Sequence, residues 1–105
     1  MSALTVAPDH RTLVRDGKPF FWLADTIWSA FTNVTDEEWI AYLDKRAAQG
    51  FTVLQLNALA QWDRCGCAFD RYPFVTLAHG TTFDFSSVND EYFEPARWMV
   101  GEAVA

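Results

Sequence analysis

The sequence predicts an α/β fold, and three observations carry that reading. A run of buried-type residues, Phe20–Ala24, ends abruptly in the polar pair Asp25 and Thr26. A second run, Phe51–Leu56, ends the same way, with Gln55 and then Asn57. Between them, residues 36–49 carry the start signal, the apolar stripe and the stop signal of a helix. The three pieces make one β-α-β unit with its polar residues gathered at the carboxyl ends of both strands, where α/β proteins build their sites.

The elements follow in order. Thr12–Val14 and Phe20–Leu23 flank Arg15-Asp16-Gly17-Lys18. Asp-Gly tolerates the positive φ of a tight turn, so a short hairpin is predicted over residues 12–22. Its second strand is expected to run on as a central buried strand through Ala24, with Pro19 near the strand start, where a missing N–H costs little. Asp25–Asn33 reads as a loop or short helical turn carrying Trp28 and Phe31. The helix then opens on Thr35 as N-cap and Glu38 as its reciprocal partner, with Val34 and Trp39 at staple positions. Asp36 and Glu37 suit the positive end of its dipole, and Lys45 and Arg46 the negative end. Trp39, Leu43 and Ala47 line its expected inner face, and Gly50 ends it.

Phe51–Leu56 is apolar and β-branched almost without a break, the pattern of a strand covered on both faces. Strand, helix and strand then imply a parallel crossover. Ala58–Ser87 lacks regular periodicity and reads as a long connection, in which Phe74–Leu77 is the one stretch able to pair as a minor strand. Near the end, Phe93, Ala96, Val100 and Ala103 share a helical face. Asn89 has the chemistry of an N-cap, but Pro95 inside a helix would remove a hydrogen bond and introduce a clash. The expectation is therefore a loose turn over 89–93 and a firm helix from Pro95, which suits the first helical position.

Composition narrows the function classes. Apolar residues make up 50% of the 105-residue chain and aromatic residues 16%, so a packed core is expected rather than disorder. The net charge is −6 and the eight basic residues are scattered singly, which argues against nucleic acid as a partner. No apolar run reaches the roughly 18 residues of a membrane span, and no basic amphipathic helix points to a membrane surface. Met1–Pro8 lacks the pattern of a signal peptide, so the chain as it stands reads as cytoplasmic. Cys65 and Cys67 are too close to staple a fold, and with only His10 and His79 to join them they match no zinc spacing; they read as free loop thiols. No metal or organic cofactor is indicated. No serine sits in a nucleophile elbow, and no glycine-rich turn follows the first strand to cradle a phosphate.

The chemistry-bearing candidates cluster at the strand ends. Asp25 is the sharpest: at a strand terminus its carboxylate could bind substrate hydroxyls, or it could fix the loop by accepting backbone N–H groups. Gln55 and Asn57 share a face by the period of two, and their amides both donate and accept, which suits a polyol or an internal polar network. Trp28 and Trp62 follow the two strand ends, placed either as core or as flat platforms for a sugar ring. Asp63 is a weaker second carboxylate on a loop, while Trp39 and Trp98 fit helix packing.

Asp16-Gly17-Lys18-Pro19-Phe20-Phe21-Trp22-Leu23-Ala24-Asp25-Thr26-Ile27-Trp28 resembles the opening of the apiosidase-like glycoside hydrolases, whose usual pattern is dGkPFFwLGDTaW. The similarity continues through Thr35–Glu38, Tyr42-Leu43, Arg46-Ala47 and Gly50–Gln55, and returns at Asn89–Phe93. Ala24 replaces the family's usual glycine, and Arg64–Ser87 matches poorly. The resemblance implies a (β/α)8 barrel and the removal of sugars such as apiose from plant cell-wall polysaccharides. It also implies two catalytic carboxylates, one after the fourth strand and one after the seventh. A barrel needs about 250 residues. Residues 1–11 are then expected as an extension and 12–105 as an incomplete barrel, cut within the helix after its second strand. On that reading the chain holds no catalytic residue. Asp25, Trp28, Gln55, Asn57 and Trp62 would contact an oligosaccharide or polysaccharide, and the remainder of the barrel would be a partner in cis or as a separate chain. The family's substrates imply export. The competing expectation is a non-catalytic carbohydrate-binding or structural α/β domain that pairs with a partner.

Overall fold

A computed structural model of the chain describes residues 2–59, 69, 71–77 and 82–105. It opens with a small antiparallel sheet of β1 (Thr5–Val6), β2 (Leu13–Arg15) and β3 (Lys18–Phe20), in the order β1-β2-β3. Asp16 and Gly17 take φ of 52° and 74°, the left-handed pair that a two-residue turn with this twist demands. Arg15 then pairs with Lys18, Val14 with Pro19 and Leu13 with Phe20.

The strand leaving that turn does not continue to Ala24. β3 stops at Phe20, and the next strand, β4 (Ala24–Thr26), belongs to a different sheet. Thr52 accounts for the break. Its hydroxyl donates to the Phe21 carbonyl at 2.6 Å and accepts the Leu23 N–H at 3.0 Å. The N–H groups of Thr52 and Val53 both reach the Leu23 carbonyl, at 2.9 and 3.1 Å. Residues 21–23 therefore spend their backbone groups on this clamp, and Phe21 and Trp22 stay exposed.

After the short α1 (Ala30–Asn33), α2 spans Asp36–Ala48 and opens on the full capping box. Thr35 accepts the Glu38 N–H at 3.2 Å, and the Glu38 carboxylate accepts the Thr35 N–H at 2.9 Å. Gly50, at φ 84°, turns the chain out of the helix as its sequence position predicts. Trp39 is wholly buried, but Ala47 is exposed rather than on the inner face. Ala47 lines a groove of about 530 Å³, with Leu43, Phe51 and Val104, instead of the core.

β4 pairs in parallel with β5 (Val53–Gln55), in the register Ala24 with Val53, Asp25 with Leu54 and Thr26 with Gln55. This strand is shorter than expected and is not buried on both faces. Leu54 packs on the helical core while Gln55, Ala24 and Thr26 are exposed, because the described helices cover one side of the pair only.

The segment read as an aperiodic connection contains two strands. β6 (Phe74–Leu77) and β7 (Thr82–Val88) form an antiparallel ribbon. Its register jumps from Phe74 opposite Val88 to Val75 opposite Asp84, a pronounced bulge that conceals the period of two in the sequence.

α3 runs unbroken from Asp90 to Val104, which overturns the expected loose turn before Pro95. Asn89 caps it by accepting the Glu91 N–H at 3.2 Å. Its own N–H and side-chain amide donate to the carbonyls of Pro73 and Tyr72. That anchor, with burial of Tyr92, fixes the first turn before the proline can object. The buried residues are Tyr92, Ala96 and Met99; of the expected face Ala96 is buried and Phe93 packs against the core, while Val100 is 46% exposed. Trp98 is 38% exposed and leans on the outer side of α2 beside Ile40 and Ala41. The core thus lies between the three helices and one face of the β4–β5 pair: Ala30, Phe31, Trp39, Tyr92, Ala96 and Met99, flanked by Ile27, Leu43, Leu54 and Leu56.

Candidate functional site

Because β4 and β5 are parallel, their carboxyl ends lie side by side. Backbone bonds carry the pairing past the strands: the Ile27 N–H donates to Gln55 O at 2.9 Å and the Asn57 N–H to Trp28 O at 3.0 Å. The segments bearing Trp28 and Asn57 are therefore fixed next to each other. Alternation places Thr26 and Gln55, register partners, on the face away from the helices. Both are exposed, Asn57 is half-buried, and Trp28 is 61% exposed. Hydroxyl, amides and a flat ring thus gather along one edge. Thr26 belongs to this group but was not singled out from sequence; its parity with Gln55 in a parallel register is the signal that finds it.

Asp25 sits in the middle of β4, facing the helix layer with Leu54. One carboxylate oxygen accepts the Thr26 N–H at 3.0 Å. The other accepts the Tyr42 hydroxyl at 2.8 Å and the Arg46 Nε–H at 2.5 Å. The Asp25 side chain is 24% exposed. Arg46 also donates to Gln49 at 2.7 Å and lies over the rings of Tyr42 and Phe51. Tyr42 and Arg46 are four residues apart on α2, one turn of one face, so a single helix presents both donors. That spacing was readable in the sequence, but the partner strand was not.

The hydroxyl of Tyr42, then the guanidinium of Arg46 and the Thr26 N–H, hold the Asp25 carboxyl below its ordinary range against the opposing effect of burial. Burial and then the Asp25 bond push Tyr42 up, and the Asp25 bond pushes Arg46 up. The trio therefore joins strand to helix with Asp25 charged and Tyr42 neutral. A depressed folded pKa stabilises above the unfolded carboxylate value of about 3.9, and that contribution is lost as pH falls through the lower folded value. Urea midpoints followed from about pH 6 to pH 2 should fall for the natural chain. For Asp25→Asn the midpoint at neutral pH should be lower and the acid decline shallower. Parallel acid limbs for the two proteins would remove Asp25 from this role.

Trp62, Asp63, Cys65, Cys67 and His79 lie outside the described residues. His10, at φ 57°, is exposed in a turn closed by its N–H on Ala7 O. Among the described residues no group of three or more His, Cys, Asp or Glu could hold a metal, and no helix is long and apolar enough to cross a membrane. The groove of about 530 Å³ opens at the amino ends of the strands, lined by Phe20, Trp22, Phe51 and Thr52, and is separate from the polar edge.

Residues 7–105 match the family described as apiosidase-like, catalytic domain. No curated protein matches the chain. Among solved structures, the chain is similar to the crystal structure of a glycoside hydrolase family 5 from Bacteroides vulgatus ATCC 8482, with 22% identity and a TM-score of 0.66. The match covers 95% of this chain and 22% of that one, so the chain spans about a fifth of its relative's length. At that identity the likeness is one of fold, a mixed α/β arrangement shared with part of a larger protein.

Proposed function

The chain belongs to the apiosidase-like catalytic-domain family of glycoside hydrolases, and from this we propose that it forms the amino-terminal part of a (β/α)8 barrel acting on plant cell-wall or related polysaccharide. The observation that carries the reading is the parallel β4–β5 pair with Thr26, Gln55, Asn57 and the exposed ring of Trp28 along its carboxyl edge. Amides and a hydroxyl match sugar hydroxyls in both directions, and an exposed indole matches the partly apolar face of a sugar ring. Asp25 serves this edge from behind, holding the Thr26 backbone against α2.

The same pair motivates the partner. Its face bearing Ala24, Thr26 and Gln55 is uncovered, and two strands alone leave open edges. Further barrel strands, in cis or from a separate chain, would close them. The catalytic chemistry would come from those strands: one carboxyl protonating the leaving oxygen, a second acting as nucleophile or base. This chain contributes rim contacts.

The test is an NMR titration of the full 105-residue chain with an apiose-bearing pectic oligosaccharide and with xylohexaose. The expected result is movement of the Trp28 indole and of the Gln55 and Asn57 side-chain amides. Gln55→Ala or Asn57→Ala should each weaken binding about threefold to tenfold, the worth of one hydrogen bond. A cooperatively folded chain in which saturating sugar leaves all three groups unmoved would sink the proposal.

A further inference from the structure

We propose that the β6–β7 ribbon carries a second sugar-stacking surface, with Phe85 as its platform and Asp84, Ser86 and Ser87 as its hydroxyl-binding flank, suited to a neutral saccharide. The inference rests on the carbohydrate reading above and extends it to a part of the chain that reading does not use.

Placement is the first argument. The ribbon is inserted between β5 and α3, and both its ends are tied at the carboxyl side of the parallel pair. Asn89, just past β7, donates to Tyr72 and Pro73, just before β6. The Tyr92 hydroxyl donates to Ala58 O at 3.1 Å, one residue beyond Asn57. The ribbon therefore rises from the edge that carries the candidate rim.

Ring geometry is the second. Phe85 is 73% exposed. Phe74 meets it edge-on with centroids 5.2 Å apart and an interplanar angle of 75°. Phe83 lies 6.3 Å away at 46°, and Tyr72 extends the row at 6.1 Å from Phe83. The bulge lifts Phe85 out of the ladder, since Asp84 and Val88 face adjacent residues of β6. A ring braced by its neighbours and open on one face is a rigid platform, and little side-chain freedom is lost when a ligand stacks on it.

The polar flank is the third. Asp84 accepts the Ser86 N–H at 3.0 Å, the Ser86 hydroxyl at 2.6 Å and the Ser87 hydroxyl at 2.8 Å. These bonds hold its carboxyl below the ordinary range, so the group is a fixed anion near neutral pH. Both hydroxyl oxygens retain lone pairs for sugar O–H donors. An exposed ring with hydroxyl acceptors on the residues next to it in the chain matches a saccharide, and the anion, on a chain of net charge −6, disfavours a uronate.

The experiment is the same full-chain NMR titration, run with xylohexaose and with an oligogalacturonate of equal length, on the natural chain and on Phe85→Ala, Phe85→Leu and Phe85→Trp. Leucine keeps apolar bulk at an exposed position without a flat face, so it separates stacking from folding. Expected are shifts at Phe85 and Ser86 with xylohexaose and about tenfold weaker binding in the alanine and leucine variants. Binding should be retained with tryptophan and weaker for the oligogalacturonate. Shifts confined to Trp28, Gln55 and Asn57, with Phe85→Leu binding normally, overturn the ribbon surface and leave the rim reading intact. Shifts at neither place overturn both. Equal binding of the charged oligomer overturns the preference for neutral sugars.

Discussion

Trp39→Ala is expected to abolish the cooperative unfolding transition of this chain. Trp39 is the largest wholly buried side chain among the described residues, and it belongs to the core cluster with residues of α1 and α3. Its ring stacks on Tyr42 at 5.6 Å and 21°, and its Nε1–H donates to the Met99 carbonyl of α3 at 2.9 Å. Truncating a buried tryptophan costs about 3–5 kcal/mol through lost burial and the cavity left behind. The variant also loses the indole hydrogen bond to the Met99 carbonyl, worth about 0.5–1.5 kcal/mol. Small domains commonly hold only about 5–15 kcal/mol in total. Trp39→Phe keeps most of the packing and loses the donor, so it should unfold cooperatively at a lower urea concentration. Near-UV circular dichroism through a urea series reads both. An alanine variant with an unshifted midpoint would show that α2 and α3 dock without this residue.

Pro95→Ala is expected to act in the opposite direction, raising stability by about 2 kcal/mol. Proline in a helix interior is disfavoured by about 3 kcal/mol relative to alanine. Here it sits at the sixth helical position, where its absent N–H leaves Glu91 O without the regular intrahelical bond. Alanine restores that donor and gives back about 0.4–1 kcal/mol through the greater freedom of the unfolded chain. Thermal unfolding should show a higher midpoint with an unchanged near-UV spectrum. A lower midpoint would mean that packing of the half-buried pyrrolidine ring outweighs the missing bond.

These two positions show what could be read from the chain and what could not. Signals confined to a few neighbouring residues were legible: the reciprocal Thr35 and Glu38 bonds, the left-handed Asp16-Gly17 pair, the exit at Gly50. The parallel pairing followed from strand, helix and strand in sequence. At Pro95 two local rules conflicted. The cap won because Asn89 is also tied to residues 72 and 73, contacts no local window contains. On α3 the core takes Ala96 and part of Phe93 as the periodicity implied, but Met99 in place of Val100, a choice set by packing between elements that no local window contains. β7 was hidden because its alternation is broken by Ser86-Ser87 and by a bulge. For the candidate site, the parity of Gln55 and Asn57 was legible, while Thr26 became visible only once the register joined it to Gln55. The partners of Asp25 lie 17 and 21 residues away on another element, beyond any motif.

Pro19 has a consequence for how this chain can grow. Arg15 and Lys18 close the two-residue turn as a hydrogen-bonded pair, so bonding alternates and Val14 opposite Pro19 is a non-bonded pair. The nitrogen of Pro19 therefore points away from β2, to the free side of the edge strand β3. It is the one residue of that three-residue strand whose amide would have faced outward, and it has no proton to give. A passing strand finds no donor there to zip onto. The β3 edge of the antiparallel sheet is therefore blunted against further pairing. If further strands add as proposed above, this edge would turn them away, a direction set by a single imino acid.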